Sequence, residues 1–155
     1  MRTIAAVLVG LLLSTPVFAQ KASPADVKTI EACIGKSDDE GGLGMNCVGA
    51  IADPCMKKDG LQEEQMKACA ARELSVWFLV TDTALKAVKA GGFKDIEAAA
   101  QESQKSFAAS RDKLCAMFDK VEPGMLSGAG AYCRLQETAR RALLLRRLGA
   151  AVGEH

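Results

Sequence analysis

The sequence predicts an all-α protein: a small antiparallel helical bundle of three long helices plus short N-terminal helices, stapled by disulfides. Three observations point there. Alanine, leucine, lysine and glutamate, all good helix formers, dominate the 155-residue chain. Aromatic residues make up only 5% of it, and its apolar residues recur at helical rather than alternating spacing. All six cysteines, an even number, follow an N-terminal segment shaped like an export signal. With 49% hydrophobic and 25% charged residues the chain can bury a core, and its length suits one domain.

Residues 1–19 stand apart. Arg2 supplies a short positive start, Ile4 to Leu13 an apolar run broken only by Gly10, and Val17-Phe18-Ala19 a small-x-small cleavage pattern. These are the marks of a secretory signal peptide cut after Ala19. No later run reaches the length a membrane span needs, and no cysteine follows the cut to carry a lipid, so no stable membrane anchor is expected after processing. The expected location is the periplasm or the exterior of a bacterial cell. Removing Arg2 leaves 19 basic and 19 acidic residues. Without a basic excess, nucleic acid is not an expected partner.

Ser23-Pro24 reads as an N-cap with proline at the first helical position, opening a short helix to about Cys33 or Ile34. Gly41, Gly42 and Gly44 break the chain. A second short helix is expected from about Gly44 to Ala52, ended by Asp53-Pro54 because the residue before proline avoids the α region. The first long helix runs from Gln62 to about Ala90, with Leu74, Trp77, Phe78, Thr81, Leu85 and Val88 on one face and Gly91-Gly92 as its stop. The second runs from Phe93 to about Val121, and its stripe (Phe93, Ile96, Ala100, Phe107, Leu114, Phe118, Val121) is the clearest amphipathic pattern in the chain. A glycine-rich turn over 122–130 leads to the third, from Ala131 to about Leu148. The expected division is a signal peptide at 1–19, a helical extension at 20–54, a helical domain at 55–148 and a frayed tail at 149–155.

Cys33, Cys47, Cys55, Cys69, Cys115 and Cys133 read as three disulfides, for which fifteen connectivities are open. The sequential scheme 33–47, 55–69 and 115–133 is favoured because it closes short loops, each contributing about 3 kcal/mol in the chain-entropy model. A metal site is not expected: there is no CxxC, and the single histidine is His155 at the C-terminal end. No cofactor is expected either. Nucleophile elbow, phosphate loop and HExxH are all missing, so an enzyme is not the expected reading.

Arg111 does not fit a bland bundle. Measured from Phe107 at about 100° per residue, Leu114 lies near −20°, Phe118 near +20° and Arg111 near +40°. A charge beside an apolar face needs a partner. Arg111 either grips an acidic ligand or forms an internal ion pair with Glu73, Glu137 or Asp112, and the internal pair is favoured. Trp77 reads as core. Arg140, Arg141, Arg146 and Arg147 read as a solvated helix face rather than a polyanion patch.

The stretch Gln104 to Cys115, with Arg111-Asp112 inside it, and Cys133 with Thr138 and Arg141 downstream, resemble the LprI-type lysozyme inhibitor domain family. That family's pattern is roughly Q-x-x-W-x-x-x-R-D-x-x-C, then C-x4-T-x-x-R, and Phe107 stands here in place of the tryptophan. Met66, Cys69, Glu73 and Trp77 resemble its upstream segment. Phe78, Thr81, Asp82 and Leu85 depart from it, standing where the family tends to show aspartate, leucine, asparagine and tyrosine. The resemblance covers about Cys55 to Leu148. It implies a secreted, disulfide-linked helical binding protein with lysozyme as its partner, acting by occlusion of a muramidase cleft. Candidate binding residues are Arg111, Asp112, Gly124, Met125 and Arg141, with the 122–130 turn as the loop presented to the partner. The alternative is an envelope structural or stress module that binds another periplasmic protein or peptidoglycan.

Overall fold

The computed structural model describes residues 21–121 and 128–154. The signal-peptide segment, Gly124, Met125 and His155 lie outside the described residues. Five α-helices and one 3-10 turn account for the described fold: α1 (Pro24–Asp39), the turn Met45–Cys47, α2 (Ala52–Met56), α3 (Glu63–Ala90), α4 (Lys94–Phe118) and α5 (Ala129–Gly153). Consecutive long helices run antiparallel, so α3 and α5 run parallel and α4 against both. The sequential disulfides Cys33–Cys47, Cys55–Cys69 and Cys115–Cys133 are all present.

Ser23 caps α1 as expected, its Oγ accepting from the Asp26 N–H at 3.1 Å. The helix continues past Ile34 to Asp39, because Gly35 alone does not break it. The helix expected over 44–52 is instead a 3-10 turn followed by α2, and Asp53-Pro54 lies inside α2 rather than ending it. Pro54 falls in the first turn, where its missing N–H has no intrahelical partner to lose. α3 begins one residue after Gln62, whose N–H donates to Gln65 Oε1 at 2.8 Å. α4 stops at Phe118, short of Val121. α5 runs through the segment expected to fray, as far as Gly153, because Val152 is buried beside Gly91, the residue that caps the end of α3.

The core lies between α3 and α5. Trp77, Val76 and Ala70 meet Leu135, Ala139, Ala142 and Leu143, and α1 adds Ile30 and Ile34 while Ile51 and Ala52 close the layer. A smaller cluster, Ala84, Val88, Ala100 and Leu145, fills the other end. Small residues let α3 and α5 approach closely: a Cβ on Gly149 would come to 3.0 Å from the Ala87 Cβ. Two expected apolar faces are only partly used. Phe78 is 43% exposed, and of the α4 stripe only Ala100 is buried, while Phe93, Leu114, Phe118 and Val121 face solvent. α3 and α5, with α1 and the start of α2, fill most of the core, and α4 leans on its flank.

Candidate functional site

The signature residues meet along the seam between α4 and α5. Arg141 Nε donates to Gln104 Oε1 at 3.1 Å, and its Nη2 donates to Ser103 Oγ at 2.8 Å. Its guanidinium lies 5.6 Å from the centre of the Phe107 ring, a cation–π contact. Roughly one turn further, Arg111 Nη1 donates to Thr138 Oγ1 at 2.9 Å. One turn beyond that, Cys115 is bonded to Cys133. These contacts step along an antiparallel register, fastening α4 to α5 at successive turns.

Arg111 has little left for a ligand. Its Nε and Nη2 both donate to Asp112 Oδ1, at 2.9 and 2.7 Å, and the Phe78 ring of α3 lies 5.6 Å away. The side chain is 10% exposed. Of the expected partners Asp112 is the one it meets, and Thr138 completes the set. Glu137 pairs with Arg140 at 2.8 Å. Arg141 differs: burial lowers its pKa from the usual arginine value, and its hydrogen-bond partners are neutral.

Glu73, the third expected partner of Arg111, is fully buried and engaged elsewhere. Its Oε1 accepts from the Gly49 N–H at 2.7 Å and from Trp77 Nε1 at 2.9 Å. Its Oε2 accepts from the N–H groups of Ile51 and Ala52, both at 2.8 Å. Four donors replace the water this carboxylate loses, and two of them belong to the start of α2. The usable sequence signal was the i, i+4 spacing of Glu73 and Trp77, which sets the carboxylate on the apolar face. Nearby, the Tyr132 hydroxyl donates to Asp53 Oδ1 at 2.6 Å. Burial, with Asp53 beside it, pushes that hydroxyl up to about 12.

Two surface features flank this frame. At the end of α4, Leu114, Met117, Phe118 and Val121 form an exposed apolar ridge, with the exposed Lys113 and Lys120 among them. At the other end, an open groove runs between α4 and α5. Among the described residues, no helix is long and apolar enough to cross a membrane, and no group of histidine, cysteine or carboxylate side chains is placed to hold a metal.

A family model described as lysozyme inhibitor LprI matches residues 55–145. No curated protein and no solved structure matches the chain significantly. The matched segment takes in all of α3 and α4 and most of α5, and with them every contact of the α4–α5 seam. Since that match spans more than half of its length, the chain belongs to the LprI lysozyme inhibitor family.

Proposed function

We propose that this chain is a non-catalytic, extracytoplasmic binding protein that inhibits a lysozyme-type muramidase by blocking its cleft. The family match over residues 55–145 carries the reading. Three disulfides support a periplasmic or secreted location, since such bonds persist in oxidising compartments, and the export-signal pattern of residues 1–19 agrees.

The contact surface we assign is the end of α4. Muramidase clefts are lined by a pair of carboxylates. The ridge of Leu114, Met117, Phe118 and Val121 offers apolar area, and Lys113 and Lys120 offer charge of the complementary sign. Gly124 and Met125, which follow α4 in sequence, remain candidates for the same proposed contact. Arg111, Asp112 and Arg141 serve it indirectly, as the frame that keeps α4 fixed to α5. A braced surface loses less entropy on binding.

Titration of c-type and g-type lysozymes with the oxidised mature protein tests this. Dose-dependent inhibition with a one-to-one endpoint is expected, weakened roughly tenfold or more by Met117→Glu. Unchanged lysozyme turnover at micromolar excess of inhibitor overturns the reading and leaves the envelope-module alternative.

A further inference from the structure

We propose that the groove between the N-terminal half of α4 and the C-terminal half of α5 binds a single-chain amphiphile with a carboxylate head, the head on Arg141 and the tail along the leucines of α5. The site lies toward the opposite end of α4 from the proposed lysozyme contact and shares with its frame only Arg141.

Its origin is visible in the sequence. Where α4 passes this part of α5 it carries Ala98-Ala99-Ala100, while α5 presents Leu144, Leu145 and Leu148. Short side chains opposite long ones leave a trough of about 510 Å³. That volume falls in the range of small-molecule sites, roughly 300–1,000 Å³. Ala100 and Leu145 are buried in its floor, Ile96 and Leu148 are half-buried, and Leu144 stands 57% exposed on its wall. From Arg141 to Leu148 the trough follows two turns of α5, about 10 Å.

The head-group chemistry comes from Arg141, which lines the same groove. Its Nε–Nη2 edge is taken by Gln104 and Ser103, which with the Phe107 ring fix the plane of the guanidinium. Among the described residues no carboxylate pairs with it, and its Nη1 edge has no acceptor. An arginine held in place with one fork open is suited to a planar carboxylate. Asp95 sits at the opposite end of the groove, in the first turn of α4. Its charge disfavours an anionic head there, so the two ends impose one orientation on the ligand.

Decanoate titrated into the oxidised mature protein, followed by calorimetry and by amide chemical shifts, is the test. Saturable one-to-one binding below the micellar concentration is expected, with shifts centred on residues 96–103 and 141–148. Leu144→Glu changes an exposed side chain and leaves the fold intact, and it should weaken binding roughly tenfold or more, as should Arg141→Gln. A decyl trimethylammonium ion should not bind. The proposal is overturned by absence of saturable binding, by equal binding of the cationic amphiphile, or by binding that Leu144→Glu leaves unchanged. A concentration-dependent dimer that Leu144→Glu disperses, in protein blind to decanoate, would assign the groove to a second copy of the chain and overturn it too.

Discussion

At Glu73 a single carboxylate holds four donors through two oxygens, each oxygen taking two. Glu73→Gln turns one of those oxygens into an NH2 group, and two buried donors then lose their acceptor. We expect a loss of about 3 kcal/mol, read from urea denaturation. A cost under about 1 kcal/mol would show that the knot can rearrange. Arg111 makes the complementary case. Because its nitrogens are spent on Asp112 and Thr138, Arg111→Ala should lower stability by about 2 kcal/mol and weaken inhibition only a few-fold in folded protein, through the loosened frame. Loss of inhibition at full stability would instead make it a contact residue. Tyr132 is the single tyrosine, so tyrosinate absorbance reports it alone. In the folded protein it should titrate at about 12. Unfolded, it should titrate near the ordinary value of about 10. The unfolded state therefore loses this proton first. The contribution to stability is whole below about pH 10 and declines as pH rises towards the folded value.

At the scale of the element, α1 is held by an ion pair near each end and a disulfide between them. Arg72 Nη2 lies 2.6 Å from Asp26 Oδ1, Arg146 pairs with Asp38, and Cys33 joins Cys47. The arginine hydrogen bonds hold both carboxyl groups below the usual aspartate range. Depressed carboxylate values stabilise the fold above the unfolded pKa of about 4, and that stabilisation is lost as pH falls through the folded values. Amide exchange in α1 should therefore accelerate below about pH 4 before α3 and α5 respond, and the acid dependence should flatten in an Asp26→Asn, Asp38→Asn variant. The close approach of α3 and α5 makes a second prediction. Gly149→Val drives a branched side chain against Ala87 and the Ala84 carbonyl, and should cost about 2 kcal/mol by chemical denaturation. The three long helices were legible from spacing and from glycine stops such as Gly91-Gly92. Their uneven use was not. A hydrophobic pattern marks Phe118 and Leu114 as apolar, but whether a partner helix covers them depends on how closely α3 and α5 pack, which small residues such as Ala87 and Gly149 set and no hydrophobic pattern marks. Glu73 was half-legible: its spacing from Trp77 sets it beside the apolar face, but a charged residue there reads first as a solvated flank and names no donors.

For the whole molecule, the cysteines were the most legible feature, because short loops between neighbours in sequence favour sequential pairing. Replacing Cys115 and Cys133 together by serine should lower stability by about 3 kcal/mol while the other two disulfides keep the fold. The signature residues were legible as a set, but their arrangement as paired turns of one seam needed the structure, since sequence separation says nothing of register between α4 and α5. The family segment opens at residue 55, yet three of the donors on Glu73 come from Gly49, Ile51 and Ala52. A boundary drawn by homology is therefore not a boundary of folding. A fragment cut at residue 55 would keep the carboxylate and discard most of what solvates it. The fourth donor, the indole of the chain's lone tryptophan, turns the same carboxylate into an optical gauge. Emission from Trp77 should shift to the red when residues 49–52 lift off the carboxylate, so their release on reduction of Cys55–Cys69 can be watched in real time, with no label attached.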